Sequence, residues 1–196
     1  MKHRQSGSVL LFSLMILFIL SFIGVASMEN VTLNERMASN YRDHDVVFQA
    51  AEAALIEGES VAANYTMSFD NADFQPSCST GDCFSTACTN GLCFNGSYPL
   101  GGVCDVTTLA NPLWLQDATW STAGRARSAM ASFPTLPVKP KYIIEFMCFV
   151  TADPSAGAPT PEPAYDVTWS KMYRVTAYAE GATGGSRVML QSTFKQ

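Results

Sequence analysis

Residues 6–28 read SGSVLLFSLMILFILSFIGVASM, and the rest of the chain is organised around this segment. No charged residue occurs between Arg4 and Glu29, whereas a helix needs about 20 mostly apolar residues to cross roughly 30 Å of hydrocarbon. The first proline of the chain is Pro76, so no proline breaks a helix that continues beyond the apolar run. The stretch therefore predicts a helix that packs in a membrane or among other apolar helices.

The next residues, 29–59, read ENVTLNERMASNYRDHDVVFQAAEAALIEGE and continue the helical pattern. Apolar side chains recur at steps of three and four, which marks one helical face. The whole predicts one helix of about 50 residues, roughly 75 Å long, that ends near Gly58. We expect the following stripe to pack on a domain: Leu33, Met37, Tyr41, His44, Phe48, Ala51 and Leu55.

Length and charge restrict the possible functions. The chain has 196 residues, which leaves about 165 beyond the apolar run, enough for one soluble domain. Its net charge is −5, and the one basic run is Lys2-His3-Arg4, which argues against a dedicated nucleic-acid surface. Because this basic run precedes the apolar helix, it predicts a cytoplasmic N-terminus and export of the remainder.

Cysteine usage fits an exported domain. The six cysteines are even in number, and their spacing lacks the C-x-x-C pair that is expected of a zinc site. They therefore predict disulfides rather than metal, with the pairing left open. The candidates are Cys78, Cys83, Cys88, Cys93, Cys104 and Cys148.

Catalytic signatures are missing from the sequence. It contains no G-x-S-x-G, H-E-x-x-H, P-loop or G-x-G-x-x-G motif. His44 is the one histidine outside the basic leader, and we assign it no role. We predict a protein that is not an enzyme and that needs no cofactor or metal.

The second half of the chain predicts loops followed by strands. Residues 61–110 are rich in Ser, Thr, Asn, Gly and Cys, which predicts loops, and residues 111–131 fit a helical turn or two. Residues 141–151, KYIIEFMCFVT, predict a strand. Residues 167–181 and 186–194 flank a glycine-rich turn and predict an antiparallel hairpin. A helix followed by antiparallel strands gives the α+β class.

The N-terminus resembles a known signal. A short basic leader that ends in Gly7, before an uncharged helix that merges into an amphipathic one, resembles the class III signal of type IV prepilins. The resemblance implies that a prepilin peptidase cleaves between Gly7 and Ser8 and methylates the new amine of Ser8. An ordinary secretory signal, cleaved near Val25-Ala26-Ser27, is less favoured because the helical pattern continues through that point.

Other stretches resemble the PilX-type minor pilins of the type IV pilus. They are residues 33–59 and the C-terminal KYIIEF, YRVTAYAEG and RVMLQSTF, so the resemblance covers the first 60 residues and roughly the last 55. It implies a pilin-like fold, with the long helix packed on a small antiparallel sheet and a disulfide-rich insertion. The implied parts are a leader (1–7), a transmembrane or filament-core half-helix (8–28) and an exported head (29–196).

The resemblance also implies a role. PilX-type subunits prime pilus assembly, are associated with the tip, and work with other minor pilins, the major pilin and a PilY-family tip adhesin. The subunit would wait in the bacterial inner membrane with its head in the periplasm, and then enter the pilus at the cell surface. The residues expected to pack against other helices are Val9, Leu10, Leu11, Phe12, Leu14, Ile16, Leu17, Leu20 and Gly24.

One position departs from the common pilin pattern. Most pilins carry a glutamate five residues into the mature chain, where this chain has Phe12. Minor pilins placed at the filament apex lack the same glutamate, as do the K-type pseudopilins of type II secretion. Two alternatives therefore remain: the tip pseudopilin of a type II secretion system, and a periplasmic binding domain on a plain membrane anchor.

Overall fold

The computed structural model describes residues 8–66, 83–94, 112–151, 153, 155, 169–182 and 185–196. The chain divides into two units, residues 1–42 and 43–196. The helices are α1 (Ser8–Asn64) and α2 (Asp117–Ser121), with 3-10 turns at Thr89–Gly91 and Leu113–Leu115. The strands are β1 (Leu92–Phe94), β2 (Arg127–Ser128), β3 (Lys141–Thr151), β4 (Trp169–Glu180) and β5 (Arg187–Lys195).

In the first unit, the described residues are those of α1 up to Arg42. Three serines interrupt its apolar sequence, and each hydroxyl donates to a carbonyl of the preceding turn: Ser13 to Leu10 at 2.9 Å, and Ser21 to Leu17 and Ser27 to Ile23 at 2.8 Å. The helix thus satisfies its own hydroxyl donors. Over the described residues, no helix combines the length and apolar character needed to cross a membrane.

The second unit is built on a mixed sheet with the strand order β1-β3-β4-β5, and β2 also pairs with β3. The pairs β3–β4 and β4–β5 are antiparallel, so the predicted hairpin is confirmed. The sheet is not purely antiparallel, however, because β1 runs parallel to β3 and places Leu92 opposite Ile144. This three-residue strand lies in a cysteine-rich stretch without periodicity, where the sequence predicted only loops.

The C-terminal part of α1 packs on one face of this sheet. That face carries large side chains from β3 and β4, including Tyr142, Phe146 and Tyr173, which form one buried cluster with Ala54 and Ala62 of the helix. A second cluster joins the helical residues Val47, Ala50 and Ala51 to Ala179 and Val188. The first cluster therefore sets small helical residues against large sheet residues, whereas the second is built of small side chains from both elements.

The predicted helical stripe is wrong in its position around the helix. Met37, Tyr41 and His44 are exposed, Phe48 is 37% exposed, and of the predicted set only Ala51 is fully buried. The buried face consists instead of Val47, Ala50, Ala51, Ala54, Gly58 and Ala62. The physical reason is steric, because aromatic rings on the sheet leave room only for small residues on the helix.

Gly58 does not end the helix, which continues to Asn64. A Cβ atom at this position would lie 2.6 Å from Cγ1 of Val175 and 3.0 Å from Cδ2 of Tyr142. Real Cβ atoms essentially never make contacts as short as 2.6 Å. The glycine is therefore explained by the close approach of helix and sheet rather than by a helix terminus.

The opposite face of the sheet is covered by a second layer. Leu113 and Trp120, from the segment 112–121, form a buried cluster with Ile143 of β3 and with Cys88 and Cys93. The predicted helical turns in residues 111–131 are confirmed by the 3-10 turn at Leu113–Leu115 and by α2. Within the described residues, the sheet of the second unit thus lies between α1 and this layer.

Candidate functional site: the exposed helix and the outer face of the sheet

The predicted processing site is only partly described. Gly7 lies outside the described residues, and Ser8 is the first described residue of α1, without a described side chain. Cleavage after Gly7 and methylation of Ser8 therefore stay predictions.

The side chains predicted to pack against other helices are exposed. Their exposed fractions include 78% for Val9, 67% for Phe12 and 49% for Ile16. A Cβ atom at Gly24 would meet nothing within 4 Å. This part of α1 thus offers a continuous apolar surface, and Phe12 places no charge on it.

In the head, a carboxylate of α1 contacts two segments of the second unit. Glu57 accepts a hydrogen bond from the backbone N–H of Met130 at 2.8 Å and one from the hydroxyl of Tyr142 at 3.3 Å. Burial raises the pKa of the Tyr142 hydroxyl above its ordinary value of 10.0, and the nearby Glu57 carboxylate adds to the rise, while Arg127 opposes it. The neutral phenol therefore remains a donor to Glu57, which connects helix, loop and sheet.

A buried ion pair joins two strands on the outer face of the sheet. Glu145 of β3 lies directly opposite Arg174 of β4, and the Arg174 Nε donates to its carboxylate at 2.8 Å. The Glu145 residue is only 2% exposed, so removal of Arg174 would leave a buried carboxylate without its ion-pair partner. The Arg174 guanidinium also lies 5.9 Å from the centre of the Trp114 ring, close enough for a cation–π contact. The pair thus helps to hold the covering segment on the sheet.

A cleft of about 550 Å³ opens between that covering segment and the strands β4 and β5. The rings of Trp120 and Tyr178 form part of its lining, with centroids 5.1 Å apart. Burial raises the pKa of the Tyr178 hydroxyl, to which the neighbouring Glu180 carboxylate also contributes. The charged lining residues are Lys139, Lys141, Arg187, Asp117 and Glu180. Sequence patterns gave no signal for this cleft, because it is assembled from four separate segments, at residues 114–121, 138–141, 178–180 and 187–189.

The lining of the cleft is mainly aromatic and charged. Its lining contains no histidine or cysteine, and the ion pair between Arg187 and Glu180, at 3.1 Å, uses one of the two carboxylates. No cluster of three or more His, Cys, Asp or Glu side chains that could hold a metal ion occurs in the described part of the chain. The cleft combines an aromatic floor with a charged rim, which suits a binding surface.

The cysteines of the head are oxidised where they are described. Cys88 and Cys93 form a disulfide with a Cα–Cα distance of 4.2 Å. Cys83 and Cys148 are also disulfide-bonded, and no described cysteine is a free thiol. The candidates Cys78 and Cys104 lie outside the described residues.

Comparison with known proteins identifies the family. The family model "PilX N-terminal" matches residues 6–55, and the model "Type IV pilus assembly protein PilX C-term" matches residues 65–196. The second match includes the middle of the chain, where the sequence resemblance was not apparent. No curated protein and no solved structure matches significantly. The long helix and α+β head agree with these matches, and the chain belongs to the PilX family of type IV pilus assembly proteins, which are structural components associated with the membrane and the pilus.

Proposed function

We propose that this chain is a minor pilin that primes type IV pilus assembly from the tip complex and helps to present a tip adhesin there. The observation that carries the proposal is the exposed apolar surface of α1 between Val9 and Val25. Apolar side chains on this scale are stable only when lipid or other apolar helices cover them. A subunit that passes from a membrane into a filament core meets both conditions in turn.

The hydroxyl groups on this helix support the same proposal. Ser13, Ser21 and Ser27 already donate to backbone carbonyls of their own helix. The helix can therefore enter surroundings without water and leave no unsatisfied hydroxyl donor among these serines. Small side chains such as serine and glycine also allow close helix–helix packing in such surroundings.

The charge distribution supports an orientation. The basic residues Lys2, His3 and Arg4 precede the helix, which favours a cytoplasmic N-terminus in the inner membrane and a periplasmic head. The paired cysteines of the head fit an oxidising compartment. After processing, the helix would join those of the major pilin and other minor pilins, and the head would reach the cell surface.

Phe12 supports a position at the apex. A carboxylate within an apolar helix bundle would need a partner, such as the N-terminal amine of the subunit ahead. A subunit at the apex has no subunit ahead of it, so an apolar residue at this position carries no penalty. The match to the type IV pilus assembly family favours the pilus over a type II secretion system.

The decisive experiment determines the N-terminus of the protein isolated from membranes, by intact mass and peptide sequencing. We expect a chain that starts at N-methylated Ser8, and we expect Gly7→Ala to remain unprocessed because a β-carbon intrudes at the cleavage site. The adjacent substitution Ser6→Ala serves as the matched control and should be processed normally.

Other results would contradict the proposal. A chain that starts near Met28 would indicate an ordinary secreted disulfide domain. An intact Met1 would indicate a binding domain on a plain membrane anchor. Normal maturation of Gly7→Ala would refute the class III signal.

A further inference from the structure

Among the described residues, the outer edge of β5 presents backbone groups without a strand partner. β5 is the last strand in the sheet order, and no described strand pairs with its outer side. Gln196 exchanges both backbone hydrogen bonds with Lys171, and Ser186 accepts from Gly181 at the other end of the same ladder. Because hydrogen-bonded pairs alternate along an antiparallel ladder, the even-numbered residues of β5 bond to β4. The amides and carbonyls of Met189, Gln191 and Thr193 therefore point outward.

This edge lacks the features that usually prevent strand pairing. Natural edge strands are protected by shortness, charge, proline or a bulge. β5 has 9 residues, the segment Val188–Phe194 contains no charge and no proline, and its register with β4 is continuous. The edge of β3 that carries β1 is different, because β1 has only three residues and Cys93, in its centre, is bonded to Cys88. Among the described strands, β5 is the one whose edge can accept another strand.

The charges at the ends of β5 indicate which kind of strand would pair with its outer edge. β5 has a cation at each end: Lys195, and Arg187, which pairs with Glu180 at 3.1 Å while its side chain stays 64% exposed. If a second copy of β5 paired antiparallel about Gln191, Arg187 would lie opposite Lys195, and like charges directly opposite each other destabilise a sheet. A strand with carboxylates at both ends would instead meet both cations. The charges therefore favour an acidic strand of a different polypeptide over self-association.

The cleft on the outer face gives such a strand a place for its side chains. Arg187 and Met189 of β5 belong to its lining, as do Lys139 and Lys141. The outward-facing amides belong to the same residues whose side chains lie on this face, since both alternate with a period of two. Side chains of an added strand on this face would lie beside the aromatic floor and the charged rim, which carries three cations and the carboxylates of Asp117 and Glu180.

We propose that β5 is a docking edge for an extended, acidic segment of a partner polypeptide, which adds to the sheet as a further strand and places a side chain in the Trp120–Tyr178 cleft. The main chain supplies affinity and the cleft supplies specificity, as in other cases of strand addition. The proposal goes beyond the proposed function, because it assigns a binding surface that does not depend on cleavage after Gly7.

The test uses the full-length protein in detergent micelles and two synthetic nonapeptides with blocked ends, EVTVTVTVE and KVTVTVTVK. Fluorescence anisotropy measures the binding of each peptide to the protein. We expect the acidic peptide to bind at least about tenfold more tightly than the basic one. Gln191→Pro removes an outward N–H that no described residue uses, so it should weaken binding at least about tenfold. The matched control Gln191→Ala keeps the N–H and should bind within about threefold of the parent.

A second readout needs no substitution. In NMR hydrogen exchange, the acidic peptide should slow exchange of the outward amides of Met189, Gln191 and Thr193. The amides of Leu190 and Ser192 already face β4 and should change little.

Three results would overturn the proposal. They are equal binding of both peptides, binding that survives Gln191→Pro in a folded protein, and exchange protection absent from the outward amides. Self-association of the full-length chain that Gln191→Pro abolishes would also overturn it, because the occupant would then be a second copy.

Discussion

Replacing Gly58 by alanine should destabilise the head, although alanine is the better helix former. The added Cβ would lie 2.6 Å from Cγ1 of Val175 and 3.0 Å from the Tyr142 ring. Val175 is fully buried and Tyr142 is 1% exposed. Because a β-branched side chain has little rotational freedom and both neighbours are enclosed, neither can move away cheaply.

The magnitude follows from two opposing terms. Alanine in place of glycine inside a helix gains about 1 kcal/mol. Insertion of a methyl group into a packed core costs about 1–3 kcal/mol, and a contact this short belongs at the upper end of that range. We therefore expect a net loss of about 1–2 kcal/mol from a folding free energy on the order of 5–15 kcal/mol.

Urea unfolding of the full-length protein in mild detergent, followed by tryptophan fluorescence, measures this loss. The control Ser60→Ala, on an exposed position of the same helix, should gain a few tenths of a kcal/mol (~0.5 at most). The double variant Gly58→Ala/Val175→Ala should lose less unfolding free energy than the two single variants lose together, because removal of Cγ1 of Val175 makes space for the added methyl group. A Gly58→Ala protein as stable as the parent, or more stable, would refute the close helix–sheet contact.

Three further outcomes are expected. Phe12→Glu should reduce piliation, counted by electron microscopy, because it adds a carboxylate where we expect no partner; unchanged or improved piliation would argue against the apex position. Removing the Cys88–Cys93 bond, which spans 5 residues, by a double alanine substitution should cost about 2 kcal/mol in the same urea assay. Above about pH 10 the protein should lose stability, because the Tyr142 hydroxyl loses its proton at a lower pH in the unfolded than in the folded state. In an ultraviolet titration of the folded protein this tyrosine should therefore ionise late, and Tyr142→Phe should lack that late step.

The strands were largely predictable from the sequence. β3 spans the predicted residues 141–151, and β4 and β5 lie within two residues of the predicted ends. Aromatic and β-branched residues carry this signal, because such side chains pack well on a pleated and largely buried surface. β1 gave no such signal, since a three-residue strand is too short to show a period.

The helix was predictable in existence but not in its buried face. The prediction from hydrophobic periodicity favoured large apolar residues as the buried face, including Leu33, Met37, Tyr41 and Phe48, over alanine and glycine. In the largest cluster, however, the sheet contributes the large side chains, and the small residues of the helix leave space for them. Which face is buried therefore depends on residues that are more than 80 positions away in sequence, and no local pattern in α1 contains that information.

The cleft and the β5 edge were not predictable for a related reason. The residues of β5 were assigned correctly to a strand, but its place at the end of the sheet depends on which other strands pair. Lys139, Trp120 and Tyr178 are unremarkable in sequence and become one lining only after the covering segment folds over the sheet. Charge pairing across the sheet, such as Glu145 with Arg174, likewise requires the register to be known.

The two uncovered surfaces should tolerate substitution differently, and this contrast distinguishes the two proposals. On α1, backbone groups and serine hydroxyls are satisfied internally, so its contacts depend on apolar packing without direction. A conservative change such as Leu14→Met should therefore leave pilus assembly nearly intact. On β5, the outward amides need a partner with matched geometry, so Gln191→Pro should weaken docking at least about tenfold whereas Gln191→Ala should not. Assembly that failed with Leu14→Met, together with peptide binding that survived Gln191→Pro, would assign the directional contact to the helix and remove it from the sheet.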